Sequence, residues 1–130
     1  MAPGILLVTH PGIGSALAAV AERLLGRLPL KVEVFEMAYD LDPESALPAA
    51  SAALRRADGG GGVLVLTDLY GATPANLGAR LAHLSTPVHR VSSLSLPMLL
   101  RVLNYPELPL DELPAVAAAG ARNGVVHDDA

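Results

Sequence analysis

The chain has 130 residues, 52% of them apolar and only 3% aromatic, with a formal net charge of −4 and no cysteine. That length allows one aliphatic core and not two. The absence of cysteine excludes a disulfide framework, a thiolate nucleophile and a Cys-ligated metal, and the scattered arginines argue against a nucleic-acid or anionic-membrane surface.

No apolar run reaches the ~18 residues of a membrane span. The N-terminus lacks a basic region ahead of a long apolar segment, so residues 1–130 read as one cytoplasmic domain without membrane insertion. Ile5 to Val8 is a continuous apolar run, suited to a strand buried on both faces. It stops at Thr9-His10, and Pro11-Gly12-Ile13-Gly14 turns the chain into an Ala/Leu-rich helix. A polar group just past the carboxyl end of a buried parallel strand stands where open α/β sheets place their ligands. His10 is therefore a candidate reactive group, and a loop histidine satisfied by a hydrogen bond is the plain alternative.

The first helix is expected over Ser15 to Leu28, with Leu17, Val20, Ala21, Leu24, Leu25 and Leu28 at helical spacing and Ser15 or Gly14 as cap. Lys31 to Met37 alternates charged and apolar residues, as a strand nearer the sheet edge does. Asp42-Pro43-Glu44 opens a second helix running to about Ala57. Gly59 to Gly62 precedes a strand rather than following one, so it reads as a flexible connector and not a phosphate loop. Val63 to Thr67 repeats the plan of the first strand and leads into Asp68-Leu69-Tyr70-Gly71-Ala72-Thr73-Pro74. Thr73 before Pro74 predicts a helix cap, with Gly71, Ala72 and Thr73 offering backbone N–H groups near a positive helix end. Pro87 to Val91 is a short strand with Ser92, Ser93 and Ser95 at its exit, and Pro97 opens a helix to about Leu103. Asp111 starts a last helix to about Ala121, and Val125 to His127 suit one more short strand. Strands and helices alternate at the spacing of a parallel, doubly wound sheet with helices on both faces.

In such a sheet the polar clusters Thr9/His10, Thr67/Asp68 and Ser92/Ser93 share one edge. A carboxylate that accepts from one ring nitrogen fixes a histidine's tautomer and leaves the other lone pair pointing outward. It also favours a charged or substituted imidazole, and nearby helix amides receive an oxyanion or phosphate. His10 and Asp68 thus suit a nucleophile that carries a phosphoryl group. Gly12-x-Gly14 lacks the third glycine of a dinucleotide fingerprint, with Glu33 or Glu36 as a ribose acid only by coincidence. Ser15 lies outside a nucleophile elbow. His83, His89 and His127 lack partners at metal spacing, so no metal site is expected. Asp40 and Asp42 read as loop and capping acids.

The three strand-exit motifs V-T-H-P-G-I-G, T-D-L-Y-G-A-T-P-A-N and S-L-P-M-L-L resemble, in order and spacing, the EIIA domain of the mannose-type phosphotransferase system. That resemblance implies a flavodoxin-like fold and a phosphotransferase component with no bound cofactor. It implies that His10 takes a phosphoryl group on Nε2 from the phosphocarrier HPr and passes it to a IIB domain or protein. Asp68 would then hold Nδ1, while Thr73 and the backbone of Gly71 and Ala72 line the phosphate. The role is sugar transport or a regulatory phosphorelay. A homodimer through exchange of an antiparallel C-terminal edge strand is also implied, for which Val125 to His127 is the candidate. Ala72 stands where the family often has a second glycine, and Ser93 and Ser95 where relatives place asparagine.

Three other readings compete. The phosphotransferase subunit of dihydroxyacetone kinase shares the fold and the early histidine, but its third-strand motif is closer to M-D-x-G-S. A flavin- or nucleotide-binding module would have only Tyr39 and Tyr70 to offer a ring. A receiver-like domain phosphorylated on Asp68 wants an acidic pair at the first strand exit and a late lysine, whereas Lys31 is the sole lysine.

Overall fold

The structure, a computed structural model, describes residues 1–129. Gly4–Thr9 (β1), Val32–Glu36 (β2), Val63–Thr67 (β3) and Val88–Val91 (β4) form one all-parallel sheet in the order β2-β1-β3-β4. The helices are Ile13–Leu25 (α1), Pro43–Ala57 (α2), Thr73–Leu81 (α3), Leu96–Leu103 (α4) and Leu113–Asn123 (α5), the last preceded by a 3-10 turn at Leu110–Glu112. This is a flavodoxin-like α/β fold.

Every residue of β1 and β3 is buried, which is why these strands read as unbroken apolar runs. Their side chains alternate between two cores. Ile5, Leu7, Leu64 and Leu66 pack with Ala21, Met98, Leu99, Val102 and Leu113 beneath α1, α4 and α5. Leu6, Val8, Val63 and Val65 pack with Ala50, Leu54, Leu77 and Leu81 beneath α2 and α3. Register is fixed by both faces at once, since a one-residue slip would exchange the two cores. Leu7 pairs with Val34 on one side and Leu66 on the other.

The winding direction reverses between β1 and β3, so a crevice opens outside their carboxyl ends. Thr9-His10 and Thr67-Asp68 leave the sheet at that point.

Four expectations need correction. The α1 stripe facing the core is Gly14, Leu17, Ala18, Ala21 and Leu25, whereas Val20 and Leu24 are exposed. Ala and Leu surround this helix, so periodicity alone does not choose its face. The glycine run is a tied turn rather than a flexible connector: Asp58 Oδ1 accepts the N–H groups of Gly60 and Gly62 at 2.8 and 3.2 Å. Ala72, not Thr73, is the N-cap of α3. Val125 to His127 is not a strand. After Val125, whose N–H closes a turn onto the Arg122 carbonyl, no backbone bond joins this segment to β4 among the described residues. A strand needs a ladder partner, and one chain supplies none here.

Candidate functional site

The site begins with the turn that follows β1. Thr9 is fully buried, and its hydroxyl accepts the Gly14 N–H at 2.9 Å while donating to the His10 carbonyl at 2.8 Å. Both bonds close the Pro11–Gly14 turn. Gly14 permits the close approach, because a Cβ there would lie 2.8 Å from Val34 Cγ1 and 3.1 Å from Thr9 Oγ1.

Against this turn stands Asp68, the first residue past β3. Its Oδ2 accepts the His10 backbone N–H at 3.0 Å and faces His10 Nδ1 at 2.7 Å. A carboxylate only accepts, so Nδ1 is the donor, and in the neutral ring Nε2 is the nitrogen that keeps its lone pair. The His10 side chain is 27% exposed and that of Asp68 only 8%. Asp68 Oδ1 is buried without a partner. A single oxygen therefore holds both the ring and the backbone of His10.

The loop beyond Asp68 turns at Gly71, whose φ of +85° is a left-handed conformation open to glycine without strain. Among the described residues, the N–H groups of Gly71 and Thr73 have no partner at the amino end of α3, while the Ala72 N–H donates to the Leu69 carbonyl at 3.2 Å. Of the three amides expected to be open, the Ala72 amide is thus already used. Thr73 is the first residue of the helix, exposed, and its hydroxyl makes no hydrogen bond among the described residues. At the β4 exit, Ser92 shares a 2.7 Å hydrogen bond with Thr67, Ser93 adopts a left-handed φ of 70°, and Ser95 caps α4 by accepting the Met98 N–H.

Two residues at this edge were not singled out for the site from the sequence. Glu36, at the end of β2, accepts the Ser15 N–H at 2.8 Å, and the N–H groups of Gly12 and Ser15 hold its carboxyl below the ordinary range. It caps α1 from another strand, a role the sequence signals only through an acid at a strand exit. Tyr39, in the loop after β2, places its ring 5.9 Å from that of His10 at a 32° tilt. The remaining three histidines lie elsewhere: His83 is exposed just past α3, His89 pairs with Asp111 and His127 with Asp129, all exposed. No group of three or more His, Cys, Asp or Glu side chains able to hold a metal occurs among the described residues.

The family model for the PTS system fructose IIA component, EIIA-man, matches residues 4–112. The chain belongs to the mannose-type EIIA family. The EIIA fold is shared, at 24% identity and a TM-score of 0.88, with the mannose/sorbose specific IIA subunit of the phosphotransferase system from Enterococcus faecalis, covering 100% of this chain and 97% of that one. Phosphotransferase system component EIIA from Streptococcus agalactiae matches at 21% identity and a TM-score of 0.80, with 95% of each chain covered. A PTS IIA protein associated with the fucose utilization operon of Streptococcus pneumoniae matches at 23% and 0.72, covering 98% and 96%. At these identities the likeness speaks for the EIIA fold alone. No curated sequence matches significantly. Among the described residues, no helix of this EIIA chain is long and apolar enough to cross a membrane.

Proposed function

We propose that this EIIA chain, with residues 1–130 forming one domain, is a cytoplasmic phosphocarrier of the phosphoenolpyruvate-dependent phosphotransferase system, with His10 as the phosphoryl acceptor. The observation that carries this reading is the 2.7 Å contact between His10 Nδ1 and Asp68 Oδ2. It leaves Nε2 as the nucleophilic atom. The Nε2 lone pair attacks phosphorus of the phosphohistidine on HPr, and the donor N–P bond breaks with its electron pair returning to the donor ring. The proton on His10 Nδ1 stays in place, and Asp68 stabilises the positive charge that spreads over the phosphorylated ring. Phosphoryl transfer needs positioning and charge stabilisation more than covalent chemistry from the protein. The open N–H groups of Gly71 and Thr73 suit the phosphoryl oxygens. Handover to a IIB component reverses the step.

The surroundings support a protein partner rather than a small substrate. Tyr39, beside the His10 ring, and Leu69 and Tyr70, which follow Asp68 in the loop, are 81%, 59% and 83% exposed, apolar surface that a partner would cover. In a homodimer, Val125 to His127 would find the ladder partner that a single chain lacks on the edge of β4.

Labelled phosphoenolpyruvate, enzyme I and HPr should place acid-labile, base-stable phosphate on the wild-type chain and none on His10→Ala. Equal labelling of the two would remove His10 from the reaction.

A further inference from the structure

We propose that the crevice between α3 and β4, on the far side of the Thr67-Asp68 exit from His10, binds a small organic anion such as a carboxylate or phosphate monoester. The crevice, partly open to solvent, has a volume of about 320 Å³ and is lined by Thr67, Tyr70, Gly71, Asn76, Arg90 and Ser92 with Ala75 and Ala79 of α3. That volume sits at the low end of ligand pockets, which span roughly 300–1,000 Å³.

Its chemistry is one-sided. Arg90 lies opposite Val65 in the β3–β4 register, which puts its side chain on the α3 face of the sheet. There the guanidinium has no hydrogen bond or ion pair among the described residues. Asn76, one turn into α3, has a side-chain amide with no hydrogen bond among the described residues. The Thr67 and Ser92 hydroxyls are 2.7 Å apart, and whichever donates, the pair keeps one O–H for a further acceptor. No acidic side chain lines the space. Ala75 and Ala79 leave the room, and the exposed Tyr70 ring supplies one apolar wall. Unpaired donors converging without a carboxylate select an anion, and the planar fork of Arg90 suits a carboxylate or phosphate in bidentate contact.

The crevice borders the phosphoryl position at Gly71, but the proposal stands on Arg90, Asn76 and Ser92 and does not depend on the phosphocarrier reading. The test is a titration of the ¹⁵N-labelled full chain with inorganic phosphate, glycerol 3-phosphate and pyruvate, followed by NMR. At least one probe should give saturable shifts at Asn76, Ser92 and the Arg90 side chain. Arg90→Ala should weaken that binding about tenfold or more, the loss of a charge-assisted contact, while His10→Ala leaves it unchanged. Arg90→Lys should restore part of the phosphate affinity and little of the carboxylate affinity. Absence of saturable shifts with all three probes overturns the proposal. So does binding lost in His10→Ala and kept in Arg90→Ala, which would mark the phosphoryl site instead. Shifts that follow protein concentration rather than probe would assign the crevice to a second copy and equally overturn it.

Discussion

Replacing Asp68 by asparagine separates what its charge does from what its shape does. The carboxylate accepts two hydrogen bonds on Oδ2, from the His10 backbone N–H at 3.0 Å and from Nδ1 at 2.7 Å. An asparagine oxygen in the same place accepts both hydrogen bonds, and its NH₂ then takes the position of Oδ1, which is buried and already unpartnered among the described residues. One orphan group replaces another, and a buried charge disappears. Stability should therefore change by no more than about 1 kcal/mol.

Transfer should suffer more. A hydrogen bond to a charged group contributes roughly 1.5–3 kcal/mol against about 0.5–1.5 for a neutral one, so the phosphorylated ring loses about 1–2 kcal/mol of stabilisation. At about 1.36 kcal/mol per tenfold, that is a five- to thirtyfold loss. Rapid-quench measurement of labelled phosphate moving from phospho-HPr to the Asp68→Asn chain reads the rate, and urea denaturation reads the fold. Asp68→Ala provides the contrast, since it strands two donors and should cost about 2–4 kcal/mol of stability. Wild-type transfer kinetics in Asp68→Asn, with the His10→Ala chain inert, would refute the electrostatic role.

Three further outcomes follow from the turn beside His10. Glu36→Gln should lower stability at neutral pH by about 0.5 kcal/mol, since it removes a carboxylate from the amino end of α1. Because the folded carboxyl titrates below its unfolded range, this difference is present above the unfolded value and vanishes as pH falls through the folded one. Denaturation at neutral pH and near the acid limit checks it, and a pH-independent difference would contradict the assignment. Gly14→Ala forces a Cβ to 2.8 Å from Val34 Cγ1, an overpacking cost of about 1–3 kcal/mol that the helix preference for alanine offsets by up to ~1, readable as a lowered urea midpoint. Thr9→Val keeps the volume but strands the Gly14 N–H, and should cost about 1–3 kcal/mol in the same assay.

The parts of the molecule legible in the sequence are those where one physical cause dominates. Ile5 to Val8 and Val63 to Leu66 are apolar without interruption because both of their faces are covered, and no other element type of that length calls for it. Once both are strands of one parallel sheet, His10 and Asp68 share an edge without further information. Asp42 capping α2 is equally local, its side chain accepting the Ser45 N–H three residues on. The features that escaped depend on distant chain. Glu36 caps a helix that starts 23 residues before it, and nothing near it in the sequence distinguishes that acid from Glu33, which instead meets Arg56 at 3.1 Å. Thr73 looked like a cap by residue type, yet the left-handed turn at Gly71 sets the backbone one residue earlier, and Ala72 takes the position with no side-chain bond at all.

The two carboxylates at this edge divide the anion-binding capacity of the fold between them. Two helices, α1 and α3, begin at the crevice, and each presents unpaired amides that would draw a negative group. At α1 the place is taken from within, because Glu36 holds the N–H of Ser15 and lies against that of Gly12. At α3 no side chain caps the helix, and the amides of Gly71 and Thr73 stay open. Under the proposed function, a phosphoryl group on His10 therefore meets one filled helix end and one free one, and the loop from Asp68 to Thr73 supplies both the acid behind the ring and the donors in front of it. Filling the α3 end with a side chain should then hinder phosphorylation without disturbing the core. Ala72→Asp would do so by placing a carboxylate at the N-cap, where it accepts from the Ala75 N–H (Pro74 has none) and repels the incoming phosphate. Its expected signature is a more stable chain that accepts phosphate from HPr at least tenfold more slowly, measured by the same quench assay. A more stable chain with undiminished transfer would show that the α3 amides take no part.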